Sequence, residues 1–171
     1  SASADEPPAP IALPAGLSIS VDELADKLEK DVAALPMARS PGSPGWAAAR
    51  KTCADRFARS GLSLAEARFH GAVDGVDQLG RSTGVARPDE VVVLSAHYDH
   101  FAACPGADDD GSGLAAIFEA AELLGRERRG RSLEIACFDQ EEDGLVGSRA
   151  YASWLRKEKR DVVLAVSLDA V

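Results

Sequence analysis

An α/β domain with a mostly parallel sheet and helices on both faces is the fold this sequence predicts, on three observations. Val91–Ala96, Leu133–Phe138 and Val162–Leu168 are short apolar runs without alternation, the pattern of strands covered on both faces. Helical apolar periods separate them, first Leu114, Ile117, Phe118, Ala121 and Leu124, then Leu145, Tyr151, Ala152 and Leu155. Each run also ends in polar side chains suited to chemistry: His97 with Asp99, Glu141 with Glu142, and Asp169. Ligands of open α/β sheets bind at the carboxyl ends of the strands, so these groups should converge.

Taken in order, residues 1–19 are rich in Ala and Pro without an apolar period and read as a disordered leader. Ser20 and Glu23 form a capping box for a helix to about Leu35, with Leu24, Leu28 and Val32 on its one apolar face. Arg39–Gly45 is a turn-rich hinge in which Ser43 caps a second helix and Pro44 takes its first position. That helix carries Trp46, Ala49, Cys53 and Phe57 at core spacing, and Gly61 stops it. Leu62–His70 and Ala72–Leu79 suggest two strands around Gly71, the second weakened by Asp74, Gly75 and Asp77. Gly80–Glu90 is a loop before the Val91 strand, and His70 is a strand-end side chain with no chemical task.

The loop after that strand packs Asp108, Asp109 and Asp110 between glycines, a repulsion that a bound cation relieves most simply. One aspartate there would suffice to cap the following helix; three, with His97 upstream, point to a metal. The Glu141–Glu142 pair can divide its labour between base and ligand. Gly111-Ser112-Gly113 is not followed by Lys and lacks dinucleotide-loop spacing, so no phosphate cradle competes. The 171 residues carry 19 basic and 28 acidic side chains, a net charge of −9, which disfavours nucleic acid or an anionic membrane as partner. No apolar run approaches the roughly 18 residues of a membrane span. Among the three cysteines, Cys137 lies mid-strand as a buried thiol, and either a Cys53–Cys104 bridge or two further free thiols fits.

Four motifs resemble the secreted di-zinc aminopeptidases, metallopeptidase family twenty-eight: His97–Asp99, Gly106–Gly113, Glu141–Ser148 and Ser167–Asp169. The resemblance spans about Pro41 to Val171 and implies a three-layer α/β/α, zinc-dependent exopeptidase-like fold with a mixed sheet. It implies His97 and Asp169 as ligands of one zinc, Asp109 as the bridge, Glu142 on the second zinc and Glu141 as general base. It implies Asp99 as the carboxylate orienting the His97 ring, and a cis bond between Asp109 and Asp110. It further implies an aminopeptidase acting on peptides with a free amino end, at work in a secreted or periplasmic setting.

The family takes a last zinc-binding histidine from beyond the Asp169 motif, so the expectation is an amino-terminal part of a catalytic domain over residues 20–171. Its carboxyl-terminal part would be missing, one zinc position well held and a complementary carboxyl-terminal segment a possible partner. Two other readings are a glutaminyl-cyclase-like acyltransferase with one zinc and a non-enzymatic interaction module on the same fold.

Overall fold

The computed structural model describes residues 19–101 and 104–171; the leader predicted for residues 1–19 falls almost wholly outside them. Both serine caps form. The Ser20 hydroxyl accepts the Glu23 N–H at 3.1 Å to open α1 (Val21–Ala34), and Ser43 accepts the Trp46 N–H at 3.1 Å to open α2 (Pro44–Arg59). Gly61 then turns the chain with φ +80°, a conformation that costs glycine little. β1 (Ser63–His70) and β2 (Asp74–Ser82) form an antiparallel hairpin, followed by β3 (Arg87–His97), α3 (Gly111–Leu124), β4 (Arg131–Phe138), α4 (Val146–Lys157) and β5 (Asp161–Ser167).

The sheet order is β1-β2-β4-β3-β5, with β4, β3 and β5 parallel and β1 and β2 antiparallel to their neighbours. Helices cover both faces. On one, Trp46, Cys53 and Phe57 of α2 and Leu114, Ile117 and Phe118 of α3 pack with Ile135 and Cys137 of β4. On the other, Tyr151 and Leu155 of α4 pack with Leu79, Val91, Val93 and Phe138. α1 lies on α3 rather than on the sheet and is tied there by charge. Lys27 reaches the buried Glu119 at 3.1 Å, and Arg56 of α2 bridges Glu119 at 2.7 Å and Asp31 at 2.6 Å.

Several expectations need correction. The residues assigned to a Gly80–Glu90 loop are partly strand, because β2 runs to Ser82 and β3 begins at Arg87. Cys137 is no free thiol: it is bonded to Cys53, while Cys104 is free. Cys53 faces inward from α2 and Cys137 inward from β4, so the two meet in the same core layer. The Val162–Leu168 strand forms but is not buried; every residue of β5 is exposed, since the sheet ends there among the described residues. Leu145 and Ala152 are exposed as well, and the covering face of α4 is Tyr151 and Leu155. No helix among the described residues is long and apolar enough to cross a membrane.

Candidate metal centre

β3 runs into the middle of the sheet and delivers His97 at its carboxyl end, only 3% exposed. The ring is fixed through Nδ1, which lies 3.1 Å from the Asp99 backbone carbonyl and 3.5 Å from its carboxylate. A carbonyl can only accept, so Nδ1 carries a proton and a neutral ring turns the Nε2 lone pair toward the site. Nε2 faces Asp109 Oδ1 at 3.0 Å, Glu141 Oε2 at 3.9 Å and Asp169 Oδ1 at 4.0 Å. Among the described residues neither Nε2 nor Asp109 Oδ1 has a hydrogen-bond partner, although both atoms are buried. Two acceptors at that distance are reconciled only by a cation between them, either a proton or a metal. Burial works against a charged His97, but the contact with Asp99 and the negative field of Asp110, Asp99 and Glu141 outweigh it and push the imidazole up to about 9. The donor set fits a divalent metal: one imidazole with the carboxylates of Asp109 and Asp169, mutually close enough to share an ion.

The three adjacent aspartates divide. Asp110 is fully buried and caps α3, accepting the Gly113 N–H at 3.0 Å and the His97 N–H at 3.0 Å, so the simple capping role holds for this one. Asp109 turns toward His97, and Asp108 is exposed. The Asp109–Asp110 bond is cis.

Glu141 and Glu142 stand on a loop in which nearly every backbone group is engaged. The Asp139 N–H donates to Asp77 at 2.9 Å, and those of Glu141 and Glu142 donate to the two carboxylate oxygens of Asp99 at 3.0 and 3.2 Å. The carbonyls of Asp139, Gln140 and Glu141 accept N–H groups from Gly147, Val146 and Leu145. The Asp99 carboxylate therefore holds the glutamate pair, and its carbonyl does most of the work on the His97 ring. Burial raises the Glu141 carboxyl, and Asp169, Glu142 and Asp99 add to that against the pull of His97. Glu142 is not drawn into the His97 cluster; its Oε1 accepts the Phe101 N–H at 3.0 Å.

The other histidines are spoken for. His100 is buried with Nδ1 2.6 Å from the Phe101 carbonyl and Nε2 within 2.8 Å of the Arg39 N–H, while His70 is exposed beside Asp74. Sequence reasoning missed Arg39, whose buried guanidinium donates to the carbonyls of Tyr98 at 2.9 Å and Gly106 at 2.6 Å and so straps the hinge to the segment leading into the three aspartates. Its neighbours in sequence are turn residues, and nothing local marks it. Asp77 did leave a signal: a charged residue inside a strand pattern, which proves to be fully buried.

Residues 78–171, more than half of the chain, match the sequence profile of Peptidase family M28. The chain belongs to this family. Leucine aminopeptidase 1 of Aspergillus oryzae is 33% identical over 121 residues, which cover 58% of this chain and 31% of that protein. Aminopeptidase Y of Saccharomyces cerevisiae is 37% identical over 76 residues, covering 44% of this chain and 14% of the relative. The chain thus spans a third or less of the length of these curated relatives. Among solved structures, a glutaminyl cyclase of Fimbriiglobus ruber matches with TM-score 0.73 at 22% identity, over 92% of this chain and 65% of that one. A Zn-dependent exopeptidase of Parabacteroides distasonis matches with TM-score 0.71 at 20% identity, over 88% and 61%. At these identities the likeness establishes the α/β fold alone.

Proposed function

We propose that this chain carries the catalytic centre of a zinc-dependent aminopeptidase that hydrolyses the first peptide bond of peptides with a free amino end. One observation carries the proposal: carboxylate oxygens of Asp109, Glu141 and Asp169 lie within 4.0 Å of a single imidazole nitrogen at the carboxyl ends of three parallel strands. His97, Asp109 and Asp169 would hold one zinc, three protein ligands being the count of a catalytic site. Asp109 with Glu142 would hold a second ion less tightly, since two carboxylates without an imidazole suit harder cations. Bound zinc supplies Lewis acidity, which makes a water acidic and polarises the scissile carbonyl. Glu141, part-buried and raised toward neutrality, accepts the proton of the attacking water and returns it to the leaving amine. Asp99 keeps Glu141 and Glu142 in place through their amides.

The aminopeptidase names of the relatives support this substrate class. The Cys53–Cys137 bridge supports work in an oxidising, secreted or periplasmic compartment. A complementary segment is expected along β5, where a cavity of about 700 Å³ lies between Tyr151 and Leu155 of α4 and Val162 and Ala165 of β5. A glutaminyl-cyclase activity is the second reading. It is favoured by the solved cyclase neighbour and by a single metal-holding cluster among the described residues.

Hydrolysis of leucine p-nitroanilide by zinc-loaded protein tests the first reading, and cyclisation of an amino-terminal glutaminyl peptide the second. Glu141→Gln should lower kcat by about 10²–10⁴-fold at unchanged zinc content, as expected for loss of a general base but no ligand. Glu142→Gln should lower zinc content too. Equal loss of metal in both variants would show that the assignment of base and ligand is wrong.

A further inference from the structure

We propose that Gln140 is a positioning residue for Glu141, and that it acts by fastening the loop after β4 to the turn between β1 and β2. The inference rests on Glu141 being the base. Gln140 is fully buried and has φ +52°, the left-handed region that a residue with a side chain keeps only where its surroundings over-determine it. Its surroundings do so from two sides. On the loop side, the Gln140 carbonyl accepts the Val146 N–H at 3.1 Å, and the amides on either side of it are bound by Asp77 and Asp99.

On the other side, the Gln140 side chain enters the β1–β2 turn, where Nε2 donates to the Val73 carbonyl at 3.1 Å. That carbonyl also accepts the Gly71 N–H at 3.2 Å, so the turn and the side chain share one anchor. Gly71 in the turn leaves room for the side chain, since a methyl there would overlap Oε1; at Gly75 in β2 a methyl would meet the Phe69 ring first and then Nε2 at 2.6 Å. The Gln140 side chain therefore lies directly against the turn backbone.

Glu141 has no comparable hold of its own. Its nearest charged partner is His97 Nε2 at 3.9 Å, and among the described residues no side-chain hydrogen bond fixes its carboxylate. Its place is set by the backbone that delivers it, and the dihedral angles of Gln140 set the direction of that backbone. Releasing Gln140 from the turn would let the carboxylate drift from the water it must deprotonate, and misplacement by about 1 Å can cost about 100-fold in rate. The ligands of the first zinc, His97, Asp109 and Asp169, stand on other elements, while Glu142 shares the loop with Glu141.

The test uses zinc-loaded protein with leucine p-nitroanilide and three variants. Gln140→Met keeps length and volume but loses the donor; Gly71→Ala pushes on the side chain from the exposed turn; the third combines Gly71→Ala with Gln140→Ala. The first two should lower kcat by about 10–100-fold with KM and occupancy of the His97–Asp109–Asp169 zinc position unchanged. Gly71→Ala should have no effect in the Gln140→Ala background, because the side chain it meets is gone. A wild-type kcat in Gln140→Met, or the same Gly71→Ala effect in both backgrounds, overturns the proposal. Should Gln140→Met fail to fold, Gly71→Ala decides by the same kcat criterion. If the unsubstituted protein hydrolyses no aminopeptidase substrate, the functional reading fails, and hydrogen exchange then judges this one alone. Exchange of the Glu141 and Glu142 amides faster by about tenfold in Gln140→Met, with β3 unchanged, supports it, and equal rates overturn it.

Discussion

β3 and β5 are neighbouring parallel strands of similar composition, Val91-Val92-Val93-Leu94 in one and Val162-Val163-Leu164-Ala165-Val166 in the other, and they deliver His97 and Asp169 to the same site. In β3, Val91 is fully buried and Val93 4% exposed; in β5, Leu164 is 53% exposed. The difference lies in their neighbours. β3 is paired on both edges and has α3 on one face, whereas β5 is paired only to β3 and has an open cavity toward α4. An apolar run therefore specifies a strand, while its burial is a property of what packs on it. The two ligands inherit the contrast: the His97 side chain is 4% exposed and that of Asp169 60%.

The strongest way to break this comparison is to place the same charge in each strand. Val91→Asp should destabilise by more than about 4 kcal/mol, enough to prevent folding, because an unpaired carboxylate would sit in the sheet core. Leu164→Asp should stay within about 0.5 kcal/mol, as at an exposed site. Urea unfolding of both variants checks this, and comparable losses would mean that β5 is covered in solution.

At the strand ends the contrast should appear in metal affinity, measured by zinc titration of chelator-treated protein. His97→Ala should lose the most, since it removes the one imidazole of the set. Asp169→Ala, which removes an exposed ligand just past the edge strand, should lose less than His97→Ala but more than Asp99→Asn. Asp99→Asn should weaken zinc by about 10-fold, the low end for loss of support to a metal-binding histidine, because the Asp99 carbonyl still holds the His97 ring. Val163→Lys tests the edge more gently: it should suppress self-association at high protein concentration, because a lysine on an open edge opposes strand pairing. Sedimentation would show this, with little change in stability.

A last expected effect, read in the pH dependence of stability, belongs to the covered side of the sheet. Burial, reinforced by the carboxylates of Asp139 and Asp99 and opposed by the Asp139 N–H, pushes the Asp77 carboxyl up to about 8. In the unfolded chain an aspartate titrates near about 3.9. Between these values the folded chain holds a proton that the unfolded chain does not, so the contribution of Asp77 to stability is full below about pH 4 and declines as pH rises to about 8. Asp77→Asn, which mimics the protonated form, should flatten that decline in the urea midpoint, while Leu164→Asp should leave its slope unchanged.

Much of the fold was legible in local chemistry. Ser20, Ser43 and Gly61 mark helix ends because a cap or a left-handed stop acts over one turn of chain. The site was legible as residue types at strand ends, and His97, Asp109, Glu141 and Asp169 do come together. Asp99 was legible as a support, but that its carboxylate serves the Glu141 and Glu142 amides depends on a contact across more than 40 residues. The Val73 anchor of Gln140 and the Tyr98 and Gly106 anchors of Arg39 likewise lie more than 50 residues away.

By itself, the sequence determined which segments are strands and helices, where the first two helices start and the second stops, and which strand ends carry chemistry, because those choices rest on local backbone preferences and apolar period. Only the tertiary structure decided that β5 lies bare, that Cys53 pairs with Cys137 rather than Cys104, and that Asp110 serves as cap while Asp109 faces His97. Each of these turns on which distant surfaces meet, and burial, pairing and hydrogen-bond geometry exist only once the layers have packed.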